Sequence, residues 1–153
     1  MCCECAPNPS VARGLEPGGY FEIHDNCFPI SCDDHTLTPD CSLLRWTQLL
    51  IQATDMIGRH LTVSPRFKDM MREAGFEDVV ELRFKWPINT WPRDQRMKQL
   101  GFWSSANAGP SIEAITLALF TRVLGWSEED TKALCREVVR DLRDVKIHAY
   151  WDV

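Results

Sequence analysis

Gly14-Leu15-Glu16-Pro17-Gly18-Gly19-Tyr20-Phe21-Glu22-Ile23-His24 is a Pro-Gly-Gly turn feeding a short apolar-rich run. Proline presets the turn and glycine tolerates the left-handed backbone that follows, so residues 20–24 read as a buried strand ending at Asp25-Asn26. The rest of the chain is placed outward from that strand. Residues 27–40 have no period, being interrupted by Pro29, Asp33, Asp34, Pro39 and Asp40, and read as a loop that Asp40 closes as a helix N-cap.

From residue 42 to 58, Leu43, Trp46, Leu50, Ala53 and Ile57 recur at spacings of three and four, the signature of an amphipathic helix. Ser64-Pro65 opens a short helix running to Ala74, and Gly75 stands where a left-handed capping glycine belongs. Residues 77–86 alternate acidic, apolar and basic positions, the apolar ones being Val79, Val80, Leu82, Phe84 and Trp86, which fits a strand with one covered face, stopped by Pro87. Met97, Leu100, Phe102 and Trp103 predict a helix that breaks around Asn107-Ala108-Gly109-Pro110. A new helix over residues 111–124 closes at Gly125, and Ser127 with Asp130 resembles an acidic capping box for the next. That last helix aligns Leu134, Cys135, Val138, Val139 and Leu142, and residues 147–153 read as a final strand.

A chain of 153 residues with 44% hydrophobic and 25% charged residues fits one soluble globular domain, since domains run ~100 to 200 residues. Its net charge of −5 gives no general attraction to nucleic acid or an anionic bilayer, so neither is expected as a partner. No apolar stretch spans a bilayer, and the opening MCCECAPNPS lacks the features of a secretory signal; an intracellular location, cytoplasmic or nuclear, is expected. Of seven cysteines, Cys2, Cys3 and Cys5 fall in a stretch, residues 1–10, that reads as a disordered tail, and the odd count argues against a disulfide framework.

Two phrases carry a family resemblance. Ala12-Arg13-Gly14-Leu15-Glu16-Pro17-Gly18-Gly19-Tyr20-Phe21-Glu22 resembles the entry to the fifth strand of class I S-adenosylmethionine-dependent methyltransferases, and Met71-Arg72-Glu73-Ala74-Gly75-Phe76-Glu77-Asp78-Val79 resembles the entry to their sixth. Asp33-Asp34-His35-Thr36-Leu37-Thr38-Pro39-Asp40, Arg45-Trp46, Leu124-Gly125-Trp126-Ser127 and Lys146-Ile147-His148-Ala149-Tyr150 are similar to the fungal subgroup related to regulators of secondary metabolism. The resemblance covers residues 11–153 and implies an α/β, helix-rich C-terminal half of a Rossmann-like fold, strands five to seven with a helical insertion. It implies S-adenosylmethionine as cofactor, yet the Gly-rich strand–turn–helix that cradles such a cofactor is missing from this sequence, so the isolated chain is expected to bind it weakly or not at all. In such a half the fifth strand is left with an open apolar edge, available to a protein partner or a second copy.

Methyl transfer is mainly a matter of positioning, with a base where the acceptor must lose a proton. The end of the predicted strand is the place to look, and His24 is the candidate base because its ordinary pKa of ~6.5 is in range. Glu22, Asp25, Cys27, Asp33 and Asp34 are candidates for the substrate pocket. Against these stand plainer readings: strand-end carboxylates and histidines commonly face solvent or brace loops, and Cys135 sits where a small core residue belongs. Two further readings compete with the enzyme: a non-catalytic interaction module using the open edge, and a small zinc domain using Cys27, Cys32, His35 and Cys41, whose spacing is looser than that of structural zinc knuckles.

Overall fold

The computed structural model describes residues 14–153. Among them the elements run β1 (Cys27–Cys32), α1 (Ser42–Met56), a 3₁₀ helix (Leu61–Arg66), α2 (Phe67–Glu73), β2 (Lys85–Pro87), α3 (Gln95–Arg122), α4 (Glu128–Arg143) and β3 (Ala149–Asp152). The Cys-rich tail lies outside the described residues.

The helices follow the predicted apolar spacing. Leu43, Trp46, Leu50 and Ala53 of α1 are buried, as are Leu134, Cys135, Val138 and Leu142 of α4, and Ile112 and Phe120 of α3 close the same core. Trp46 enters it without an orphaned donor, because its indole Nε1–H donates to Thr116 Oγ1 at 2.8 Å. Ile30 and Ala149 join from the sheet and Ile88 from the residue just past β2, so helices and sheet share one core and the helices supply most of it.

The sheet is antiparallel with β3 between β1 and β2. Ser31 stands opposite Tyr150, and Pro87 opposite Tyr150 on the other side, so residues from three distant parts of the chain meet across β3. Phe84 and Val153 exchange main-chain hydrogen bonds at 2.8 and 2.9 Å and prolong the β2–β3 pairing by one residue.

Five expectations are corrected. Residues 20–24 form no strand: the Pro17-Gly18 turn forms, with Gly18 at φ +84° and Gly19 N–H donating to Glu16 O at 2.9 Å, but Tyr20 beyond it is 96% exposed. Strand propensity needs a hydrogen-bonded neighbour, and among the described residues none pairs with this segment. The predicted loop over residues 27–40 instead begins with β1, whose Ile30 is buried. Of the strand expected over residues 77–86, only its end is paired, and Pro87 is its last residue rather than its stop. Asp40 does not cap α1; the cap residue is Cys41, without a side-chain bond, and the Asp141 carboxylate of α4 accepts from Leu43 N–H at 3.0 Å in its place. Finally, α3 does not break at Gly109-Pro110, because packing on both flanks holds one helix through the proline.

Gly75 and Gly125 take positive φ at the ends of α2 and α3, as expected, and Ser127 Oγ accepts from Asp130 N–H at the start of α4.

Candidate functional site

Residues 21–25 and 79–84 face one another across a cleft of about 350 Å³ with α2 beneath it, a volume within the ~300 to 1,000 Å³ of small-molecule sites. Glu22, His24, Asp25 and Cys27 all line it, beside Phe21, Lys68 and Met71. His24 Nε2 lies 2.9 Å from Glu22 Oε1, with both side chains about three-quarters exposed, so the contact fixes little. Asp25 Oδ1 accepts from the N–H of Asn26 at 2.8 Å. Asp33 and Asp34 do not line the cleft.

Those two aspartates belong to a second polar cluster, built over β3 from residues that sequence spacing does not connect. The turn after β1 puts His35 at φ +62° and turns Asp34 back on itself: its Oδ1 accepts from Thr36 N–H at 3.2 Å, Thr36 Oγ1 at 2.8 Å and the Cys32 thiol at 3.2 Å. Its Oδ2 meets His148 Nδ1 at 2.5 Å, and His148 N–H donates to Thr36 Oγ1 at 2.8 Å. The His148 bond, then the Thr36 and Cys32 bonds, hold the Asp34 carboxyl well below the usual carboxylate range.

Asp33 beside it accepts from Lys85 Nζ at 2.5 Å and from Tyr150 OH at 2.6 Å, which lowers its pKa, the lysine contact contributing most. The same contacts raise Lys85 and, through Asp33, Tyr150. Lys85 Nζ also lies 4.3 Å from the centre of the Tyr150 ring.

Trp91 completes the cluster. Buried Asn89 anchors its approach, donating to Asp144 O at 3.1 Å and accepting from Trp91 N–H at 3.0 Å, while Trp91 Nε1–H donates to Ala149 O at 2.9 Å. The indole and the His148 ring are 5.1 Å apart, tilted 31°. Sequence reasoning singled out Asp33 and Asp34, and read the run from Lys85 to Lys98 as a substrate lid or solvated face, but assigned no site role to Thr36, His148 or Tyr150. The available signal was the pair of phrases Asp33-Asp34-His35-Thr36 and His148-Ala149-Tyr150; their junction depends on β1 and β3 being neighbours.

The four residues of the zinc reading do not converge: Cys32 serves Asp34, while Cys41 Sγ donates to Asp141 Oδ2 at 3.2 Å. Burial pushes the Cys41 thiol up to about 11, the wrong direction for a thiolate ligand. No metal-competent group of three or more His, Cys, Asp or Glu side chains occurs among the described residues.

Nor do the described residues fit the expected cofactor's cradle. Such a cradle follows a parallel strand and leaves a helix N-terminus free for the ligand. Here every strand pairing is antiparallel, and the N-termini of α1, α3 and α4 are occupied by the chain's own Asp141, Asp94 and Ser127 side chains. No helix of the described residues is long and apolar enough to cross a membrane.

Comparison with known proteins gives consistent relatives. The chain is 35% identical over 139 residues to the probable methyltransferase tdiE of Emericella nidulans, covering 91% of this chain and 44% of that protein. It is 36% identical over 138 residues to the methyltransferase pytC of Aspergillus terreus, covering 90% and 43%. It is 37% identical over 141 residues to the secondary metabolism regulator LAE1 of Cochliobolus heterostrophus, covering 89% and 45%. The chain thus spans less than half the length of the curated relatives it matches. No family model matches, and no solved structure does.

Proposed function

We propose, from the premise that this chain is a relative of the fungal methyltransferases and secondary metabolism regulators, that it forms the acceptor-side portion of an S-adenosylmethionine-dependent methyltransferase. The observation that carries this is the coincidence of a match covering about nine-tenths of the chain with an open cleft lined by Glu22, His24 and Asp25. The relatives' names imply S-adenosylmethionine as the family's methyl donor; the antiparallel sheet and filled helix N-termini argue that the chain alone holds it weakly. The chain would work inside the cell as part of a larger cofactor-binding assembly. A chimera tests the function: the matched stretch of tdiE is replaced by this chain and methyl transfer is followed with labelled S-adenosylmethionine. Retained transfer is expected; loss of transfer in a chimera whose circular dichroism shows it folded would contradict the proposal.

A second reading, docking on another protein, draws on one observation. Val80, Leu82 and Phe84 recur at alternate positions of an extended segment and are 78, 68 and 57% exposed, an apolar row beside the cleft. A mass that rises with concentration in analytical ultracentrifugation, abolished by Leu82→Lys, would support self-association there.

A further inference from the structure

We propose that the cleft between residues 21–25 and 79–84 binds a small apolar carboxylic acid, with its carboxylate on Lys68 and its body along Val80, Leu82 and Phe84. This rests on the methyltransferase function above, in which the ligand of the cleft is the acceptor, and it names that acceptor's chemical class.

Charge at the cleft is already paired off except at one cation. Glu22 Oε1 lies 2.9 Å from His24 Nε2, Glu81 Oε1 accepts from Arg83 Nε at 2.5 Å, and Asp25 Oδ1 accepts from the main-chain N–H of Asn26 at 2.8 Å. Lys68 lines the same cleft from α2 and is half-buried, with no hydrogen bond or ion pair to another group among the described residues. An ammonium brings three donors and gives up part of its hydration when half-buried. An anion entering the cleft therefore makes a contact that the chain itself does not supply.

The walls hold the rest of the ligand. Val80, Leu82 and Phe84 line the cleft in a row and are more than half exposed, so a bound apolar body covers surface that otherwise faces water. On the facing wall Phe21 is stacked on Phe76, the ring centres 5.8 Å apart and the planes 26° from parallel, so that wall is set before a ligand arrives.

Charge and size select the class. One unpaired cation set among Glu22, Asp25 and Glu81 suits a single negative charge, whereas a phosphate dianion meets more repulsion than attraction there. A carboxylate carries that single charge near neutrality, and a phenol or an alcohol, still protonated, does not. The cleft, about 350 Å³, stands at the small end of ligand sites and fits a small ring system or a short chain rather than a peptide.

The probes are 2-naphthoate, a flat apolar carboxylate, and 2-naphthamide, its uncharged counterpart. Each is titrated with the chain at pH 7.5 and binding is read from the change in its fluorescence. Wild type should bind the acid about tenfold more tightly than the amide. Lys68→Met should bring the acid down to the amide's affinity, Lys68→Arg should keep most of the preference, and Leu82→Ser should weaken both ligands alike. Lys146→Met, at an exposed residue outside the cleft, should change neither. Equal binding of acid and amide by wild type, acid binding that Lys68→Met leaves unchanged, or no saturable binding of the acid at millimolar concentration would overturn the proposal. The comparison of acid with amide uses the unmodified chain, so it decides the matter even where a variant fails to fold. No methyl donor is present: a working chimera with no preference for the acid would strike the acceptor class alone, and acid binding beside a folded but inactive chimera would strike the methyltransferase function alone.

Discussion

Gly101 of α3 packs against the main chain of Asn89 so closely that a Cβ at residue 101 would lie 1.8 Å from the Asn89 carbonyl oxygen. The obstructing atom is backbone, and Asn89 is itself buried and bonded to the Asp144 and Ile147 carbonyls, so it has nowhere to retreat. This contact seats α3 on the segment that carries Trp91.

Gly101→Ala should therefore destabilise the chain by about 1 to 3 kcal/mol or more despite alanine's better helix propensity. Urea denaturation gives the value, and the Trp91–His148 contact should be disturbed in the same variant. An unchanged or raised midpoint would mean that α3 does not sit as described.

Trp46→Phe removes the indole donor that meets Thr116 Oγ1 in the core and should cost about 1 to 3 kcal/mol. Trp103, 61% exposed on α3, is the control: Trp103→Ala should change stability by no more than about 0.5 kcal/mol. Equal effects of the two substitutions would contradict the assignment of their faces.

Burial first, with a smaller push from the Asp141 carboxylate and against the opposing pull of the Leu44 and Leu43 main-chain contacts, keeps the Cys41 thiol protonated, with a pKa pushed up to about 11. Because the folded value lies above the unfolded one, this group's contribution to stability is complete below pH ~8.5 and is lost as pH rises toward 11. Alkylation by iodoacetamide at pH 8, read by peptide mass spectrometry, should label the partly exposed Cys27 and Cys32 before the buried Cys41 and Cys135. Early labelling of Cys41 would contradict its place under Asp141.

Asp34 shifts in the opposite sense. Its carboxyl is lowered by His148 first and then Thr36, so the stability it brings is present above the unfolded carboxylate's ~3.9 and disappears as pH falls through the lower folded value. Asp34→Asn should be less stable than wild type at pH 6, with the gap narrowing below pH 4. A gap independent of pH would mean that the carboxylate's charge is not what His148 and Thr36 engage.

The sequence was legible where structure is local. The spacing of Leu43, Trp46 and Leu50, the positive-φ glycines at 75 and 125, and the Ser127 cap could each be read within a few residues, and the family resemblance agrees with relatives that carry methyltransferase and secondary metabolism regulator names. What failed was pairing. Residues 20–24 have the composition of a strand, but a strand is defined by its neighbour, and β1 found that neighbour in β3 while the run before it did not. The same holds for the polar cluster: Asp34 and His148 are separated by 114 residues, and nothing local to either announces the other. The cap of α1 was misplaced for this reason too, since Asp141 comes from a helix far along the chain.

We propose that this chain supplies the acceptor side of a methyltransferase, and its described residues form no cofactor cradle. Isothermal titration of the isolated chain with S-adenosylmethionine tests it most directly. The account predicts no saturable heat at micromolar ligand; a stoichiometric micromolar Kd would contradict it.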